Sequence, residues 1–378
     1  MHPAPAPLPT AITSKRREAP VRTTYLVVGT GWRAEPYLRL AAMLPDRFGV
    51  TGIVAHSESS QERARRDWGV EVHADLDAAL ATQRPDFVVL SVPWPVTPDL
   101  VRRLVALDLP VLTETPPAPD LEGLHSLWAD VGASGLVQVA EQYALMPLDA
   151  ARRTLVAEGV IGTPSSVLVS STHLYHAVAM MRSYLGVGAD EPVEVVGRSY
   201  GGTLVDPLTP AGWTYDGRPK RAQNILAALD FGDGRLGRYD FTDNQWWNPL
   251  RPDHLLVRGS AGEIADTAVV HLADATTPVT SRLERVSTGV GMDYQGLELT
   301  HLTFEGRVVW RNDFLGGALT DDDLGVAVLL DRVGAWVRDG GDGPYPLREA
   351  CQDHAVGLAI EQAVETGEVA RVERQPWA

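Results

Sequence analysis

One short run holds three side chains able to move protons. Ser170-Ser-Thr-His173-Leu-Tyr175-His176 carries two histidines three residues apart, with a tyrosine between them. An imidazole has an ordinary pKa of ~6.5, so His173 or His176 can take or give a proton near neutrality. Two histidines can also hold a metal, but no carboxylate or cysteine stands at ligand spacing beside them, so no metal is expected. Tyr143 closes a second run, Glu141-Gln-Tyr143, and its phenol can donate a proton or a hydrogen bond. His176, His173 and Tyr143 are therefore the candidate catalytic residues. The plainer alternative is that a histidine is a satisfied structural group and Tyr143 an interdomain packing residue.

A third run has the composition of a binding site. Tyr239 to Arg251 brings Trp246 and Trp247 together with Asp243, Gln245 and Arg251. Aromatic faces can stack on the C–H side of a sugar ring, and amides and carboxylates bind hydroxyls. An arginine fork suits a carboxylate, sulfonate or phosphate. Trp and Arg are also enriched at subunit interfaces, which is the competing reading. Tyr175 and Arg182, following the histidines, join this list of candidate substrate contacts.

These groups need a scaffold, and the N-terminal region supplies its first part. Tyr25-Leu-Val-Val28 is a short apolar run followed at once by Gly29-Thr30-Gly31-Trp32-Arg33-Ala34. The run reads as a buried parallel strand. The small residues fit G-x-G-x-x-[G/A]: Gly29 for a tight turn, Gly31 for close approach of a pyrophosphate, Ala34 for close packing of helix on strand. Glu35 to Leu44 is then a helix whose N-terminal N–H groups face phosphates, with Pro36 suited to its first turn. A second strand at Val50 to Ala55 completes a βαβ unit.

Strands and helices alternate from there to Glu141, which predicts a doubly wound parallel sheet. Ligands collect at the carboxyl ends of such strands. Those ends hold Gly29, Thr30, Gly31, Trp32 and Arg33, then His56 and Ser57, Pro93 and Trp94, Glu114 and Thr115, and Glu141. All are candidate cofactor contacts. His56 and Ser57 stand where an acid would accept from the ribose of NAD, and no arginine for a 2′-phosphate adjoins them, so NAD and NADP both remain open.

The pattern changes after about residue 145. Short alternating strands, with turns at Phe231-Gly-Asp-Gly234 and Phe304-Glu-Gly306, predict a mostly antiparallel, open sheet closed by helices at 321–338 and 347–366. The expected organisation is a disordered arm (1–22), a dinucleotide-binding domain (23–144) and an α+β domain for substrate binding and oligomerisation (145–378).

Composition narrows the partners. The net charge is −16, and no basic block follows the Lys-Arg-Arg cluster at 15–17. That argues against nucleic acid and anionic membrane. No apolar run approaches the ~18 residues of a membrane span. The N-terminal stretch lacks the apolar core of a secretory signal, so a cytoplasmic protein is expected. Cys351 is the sole cysteine, which leaves no internal disulfide.

The chain resembles the glucose-fructose oxidoreductase / inositol dehydrogenase (Gfo/Idh/MocA) family from Thr23 to its last helix. The likeness rests on Gly29 to Ala34, on Val92-Pro93-Trp94 in place of a Thr-Pro-Asn turn, and on Thr113-Glu114-Thr115-Pro116 in place of Glu-Lys-Pro. It rests also on Glu158-Gly-Val-Ile-Gly162 and on His176 with Gly186 ten residues on. The family's usual lysine is Thr115 here, its first aspartate Thr172 and its second Ala179. His176 alone survives of that acid–base set, and a threonine cannot shuttle protons at neutral pH.

The resemblance implies an NAD(P)-dependent oxidoreductase, moving a hydride between nicotinamide and a sugar or polyol-like molecule. It also implies a homodimer or homotetramer joined through the open sheet. The missing lysine and aspartate keep three alternatives in view: an NAD-dependent, redox-assisted glycoside hydrolase, an imine reductase, and a non-catalytic dinucleotide-binding protein.

Overall fold

The computed structural model describes residues 21–209, 211–293 and 296–378. Most of the predicted N-terminal arm lies outside them.

The first half is a parallel sheet. Its strands are β1 (Thr23–Val28), β2 (Phe48–Val54), β3 (Val72–His73), β4 (Phe87–Leu90), β5 (Val111–Thr113) and β6 (Val137–Val139). Between them run α1 (Glu35–Met43), α2 (Glu58–Trp68), α3 (Leu76–Thr82), α4 (Thr97–Ala106) and α5 (Leu121–Val131). The six strands lie in the order β3-β2-β1-β4-β5-β6, every pair parallel. Apolar runs such as Phe87-Val-Val-Leu90 are buried throughout, as a sheet covered on both faces requires. The order reverses between β1 and β4, and this is the crevice where a doubly wound sheet takes its ligand.

The chain then crosses into α6 (Pro147–Ala157), β7 (Pro164–Ser170) and α7 (Leu174–Leu185). There follow β8 (Val193–Val205), the small hairpin β9 (Leu208–Thr209) and β10 (Gly212–Trp213), β11 (Pro219–Asp230) and β12 (Leu236–Thr242). Next come β13 (His254–Gly259), β14 (Gly262–Ala265), β15 (Ala268–Asp274), β16 (Thr277–Ser287), β17 (Leu299–Phe304) and β18 (Arg307–Arg311). Helices α8 (Asp321–Asp339) and α9 (Leu347–Thr366) and strand β19 (Ala370–Val372) close the chain. Eleven strands form one sheet in the order β18-β17-β16-β15-β14-β13-β7-β12-β11-β8-β19. Only β7 and β12 pair in parallel; the other pairs are antiparallel. Helices α7 and α9 pack on one face, against β7 and β8.

Several elements exceed the sequence expectation. The sequence predicts a strand over Val193 to Gly197; β8 runs on, and its pairing with β11 continues through Val205↔Pro219. Strand β16 was not expected at all: most of its residues are exposed, so neither face supplies an apolar alternation. The sequence predicts a helix from His176 to Leu185; α7 begins two residues earlier, at Leu174.

Candidate active site

The phosphate loop has the geometry that a pyrophosphate needs. Gly29 has φ +110°, and a Cβ there would lie 1.9 Å from the Ser91 carbonyl oxygen of the neighbouring segment. Only glycine fits. At Gly31 a Cβ would meet nothing within 4 Å, so the backbone faces open space where a ligand can approach. Ala34 is buried, and a single 3-10 turn from Trp32 leads into α1. A nicotinamide dinucleotide therefore fits this loop, held by N–H groups at a helix start.

Arg33 does not stand free. Its Nε lies 3.4 Å from Glu114 Oε1 and its Nη1 3.6 Å from Asp322 Oδ2. The Tyr37 phenol donates to the same Glu114 oxygen at 2.5 Å. Glu114, expected as a cofactor contact, ties the loop and α1 to the end of β5. Ser57 is likewise occupied: its Oγ accepts from Ser60 N and caps α2. His56 and Trp94 are exposed at the ends of β2 and β4, and Thr115 is half-buried after β5.

Glu141, two residues past β6, reaches α7: its Oε2 lies 2.5 Å from His176 Nδ1. Both residues are buried. Burial pushes the Glu141 carboxyl up to about 8, although the Tyr143 N–H, which donates to its other oxygen, and the Arg33 charge pull the other way. Burial also pushes His176 down to about 3, with the Arg33 charge in the same direction. The shared cause is that neither member can be charged cheaply out of water. Burial disfavours the charged form of each partner, and the 2.5 Å contact makes the two groups share their proton chemistry, where the sequence alone predicts that His176 titrates by itself.

Around His176 the rings close in. Centroids of Tyr175, Tyr143 and His173 lie 4.5, 4.7 and 5.2 Å away. Burial, and then the neighbouring His176, pushes His173 down to about 3. Its ring stacks on Trp246 at 5.1 Å, and Trp246 stacks on Phe241 at 4.9 Å. Burial pushes the Tyr143 phenol up to about 12, partly offset by the Thr172 hydroxyl beside it. Thr172 Oγ1 is buried and makes no hydrogen bond of ordinary geometry. It stands beside the Tyr143 phenol. His173 precedes Leu174, whose φ of +35° is strained for a residue with a Cβ. The Leu174 N–H donates to the Tyr239 phenol at 3.1 Å, which fixes the turn.

Other expected substrate contacts are engaged elsewhere. Arg182 is buried in α7, with Nη1 2.6 Å from Asp353 and Nη2 2.6 Å from Glu349. It locks α7 to α9. The Gln245 amide donates to the Ser170 carbonyl and hydroxyl, and its oxygen accepts from Thr242 N. It joins β7 to the end of β12 with no capacity to spare. Asp243 accepts from Gln223 N and ties β11 to the turn after β12. Arg251 lines a separate hollow with Ser170, Asp240 and His254, on the sheet face opposite the helices. Trp246 and, further off at 6.3 Å, Phe241 join His173, while Trp247 meets Trp32 of the phosphate loop.

Asp322 and Gln142 were not foreseen. Gln142 Nε2 donates to Asp322 Oδ1 at 2.9 Å, while the other Asp322 oxygen faces Arg33. Asp321-Asp-Asp323 after Thr320 reads only as the acidic first turn of a helix, and nothing local reveals that its middle member reaches the loop after β1. Among the described residues no group of three or more His, Cys, Asp or Glu is placed to hold a metal. Nor, among them, is any helix long and apolar enough to cross a membrane.

Residues 23–141 match the family described as "Oxidoreductase family, NAD-binding Rossmann fold". No curated relative matches the chain in sequence. Solved structures share the fold across nearly the whole length. A myo-inositol dehydrogenase from Corynebacterium glutamicum superposes with a TM-score of 0.64 at 16% identity, covering 94% of this chain and 100% of that one. An Agrobacterium radiobacter oxidoreductase, in complex with NAD+, L-tartaric acid and magnesium, gives 0.63 at 14% identity, covering 93% and 98%. The WlbA dehydrogenase from Chromobacterium violaceum, in complex with NADH and UDP-GlcNAcA, gives 0.61 at 15% identity, covering 94% and 97%.

Proposed function

Because residues 23–141 belong to the Gfo/Idh/MocA oxidoreductase family, we propose that the chain is an NAD(P)-dependent oxidoreductase acting on a sugar or polyol-like molecule, with Glu141 and His176 as a joint acid–base group. The observation that carries this reading is the buried 2.5 Å contact between His176 Nδ1 and Glu141 Oε2, two residues past β6. A bound nicotinamide dinucleotide supplies or accepts the hydride. Gly29 to Arg33 would hold its pyrophosphate, and the ends of β2 and β4 its remaining parts. Structures of the same fold carry NAD+ with tartrate and NADH with a nucleotide sugar, which supports a small hydroxylated substrate.

The pair solves the absence of lysine and aspartate. In the neutral state the Glu141 carboxyl donates to Nδ1, so the imidazole proton lies on Nε2. Among the described residues no hydrogen bond engages Nε2. For carbonyl reduction, Nε2–H gives its proton to the substrate oxygen while Nδ1 takes the proton of Glu141. For alcohol oxidation the two transfers reverse. No imidazolium forms in either direction, as the burial of His176 favours. The Thr172 hydroxyl and the His173–Trp246 stack would orient the substrate.

The reading is tested by titrating the purified chain with NAD+, NADH, NADP+ and NADPH, then following nicotinamide absorbance with a panel of sugars, polyols and hydroxy acids. Saturable binding of at least one dinucleotide and turnover that fails in His176→Asn are expected. Absence of binding for all four would sink it.

A further inference from the structure

Glu141 also forms part of the wall of a second space, a cavity of about 310 Å3 bounded by α6, α7, α8 and the start of α9. Its lining is cationic. Arg153 of α6, Arg182 of α7 and Arg332 of α8 all face it, against one further carboxylate, that of Glu349. Glu349 is already bonded to Arg182. Arg153 has only a long 3.4 Å contact with the Ala144 carbonyl oxygen among the described residues. Arg332, exposed at the mouth, has no hydrogen bond or ion pair among the described residues, and its neighbour in sequence, Asp331, is bonded to Arg47. Burial and the adjacent Arg153 charge hold the Arg332 guanidinium below its ordinary pKa, with Asp331 opposing them. In a chain of net charge −16, two arginines facing one cavity without a carboxylate partner require a reason.

The uncharged donors point the same way. Arg182 Nε and Ser183 Oγ, both on the cavity wall, are buried without an acceptor. A buried donor left unpaired costs roughly 1–3 kcal/mol, and the acceptor that satisfies several converging donors is an oxyanion.

We propose that this cavity binds a small oxyanion, a carboxylate or phosphate compound, with Arg153 and Arg332 supplying charge at its mouth and Arg182 Nε and Ser183 Oγ donating hydrogen bonds within. The site is distinct from the phosphate loop, and its occupancy does not depend on which substrate the chain turns over.

Calorimetric titration of the full chain with inorganic phosphate, and separately with succinate, in an oxyanion-free buffer at constant ionic strength tests this. Saturable one-to-one binding of at least one probe is expected. Arg153→Gln and Arg332→Gln should each weaken it about tenfold or more, since a hydrogen bond to a charged group is worth ~1.5–3 kcal/mol and ~1.4 kcal/mol is tenfold. Ser183→Ala should weaken it less, and Arg66→Gln, on exposed α2, should leave it unchanged. Circular dichroism checks that each variant folds. No saturable binding of either probe overturns the proposal. So does affinity untouched by both cavity variants, or lost equally in Arg66→Gln. Binding abolished by Gly31→Val but kept in Arg332→Gln would place the anion on the phosphate loop and overturn it too.

Discussion

Trp32, on the phosphate loop, meets Trp247, in the turn after β12, edge-on with ring centroids 6.4 Å apart. The two indoles join the N-terminal sheet's ligand crevice to the rim of the large sheet. Trp32 is otherwise exposed, so this contact is a main restraint on the outer side of the loop. An edge-to-face aromatic pair contributes ~0.5–1.5 kcal/mol beyond burial. Trp247→Ala should therefore weaken dinucleotide binding by up to about tenfold without unfolding the chain. Calorimetry reads this directly; an unchanged Kd would mean that the contact does not order the loop.

The two glycines of the loop should behave differently. Gly31→Val places a side chain in open space, so thermal stability should stay near wild type while dinucleotide binding is lost. Gly29→Ala forces a Cβ onto the Ser91 carbonyl at a positive φ, so it should lower Tm as well. Calorimetry and thermal melts on both variants separate the two effects. A Gly31→Val chain that binds as wild type does would refute the assignment of the loop.

How much of this was legible in the sequence depends on the range of the signal. The phosphate loop is local: Val28-Gly29-Thr-Gly31 and the helix after it state their own geometry. The parallel sheet is nearly as plain, because strands such as Phe87–Leu90 are buried on both faces. The histidine run was legible as chemistry, but its charge state was not. That His176 is held below its ordinary pKa follows from burial and the Arg33 charge, and its partner Glu141 is thirty-five residues away; no local pattern states either. Arg182 and Gln245 look like ligand groups in sequence, since nothing shows that Asp353 and the Ser170 carbonyl already satisfy them. Strand β16 escaped notice because exposed strands carry no apolar period.

We predict a homo-oligomer. Val196, Leu226, Leu236 and Val270 are all exposed. Their registers place them on the face of the large sheet opposite α7 and α9: Leu236 pairs Ser166, Ser166 pairs Arg258, Arg258 pairs Glu263 and Glu263 pairs Val270. Exposed apolar side chains interspersed with Arg258 and Glu263 match the mixed composition of a subunit interface. Light scattering at micromolar concentration should give a multiple of the chain mass, and Leu226→Glu should shift it towards one chain. A wild type of single-chain mass contradicts the prediction.

Glu141 should leave a mark on the pH dependence of stability. Its folded-state pKa is raised to about 8 from an ordinary 4.5. The folded chain therefore holds a proton on Glu141 that the unfolded chain loses across that window, so the Glu141 contribution to stability falls as pH rises from about 4.5 to about 8, while His176, held down to about 3, gives the opposite slope below its ordinary 6.5. Glu141→Gln keeps an amide that can donate to His176 Nδ1 but cannot ionise. Denaturant melts of both proteins should show wild type losing ground to the variant across that window, on the order of a few kcal/mol. A difference that stays constant with pH would place the Glu141 pKa elsewhere.

The His176 substitution tests the acid–base assignment itself. Thr115 and Thr172 cannot exchange a proton near neutrality. Burial pushes the Tyr143 phenol to about 12, too high to ionise readily, and His173 to about 3. His176 remains, coupled to a carboxyl that titrates near 8. In the direction of carbonyl reduction the active form carries the Glu141 proton, so kcat should fall as pH rises through about 8. His176→Asn keeps a hydrogen-bonding side chain but removes the ring that connects Glu141 to the substrate oxygen. Acid–base catalysis by a placed group is worth ~10² to 10⁴ in rate. Turnover should drop by about that factor, dinucleotide affinity should hold, and the limb near pH 8 should vanish. Glu141→Gln should lose the same limb, because the amide cannot pass a proton to Nδ1. If His176→Asn keeps both the wild-type rate and the limb, the proton comes from His173 or Tyr143, and the pair only shapes the pocket.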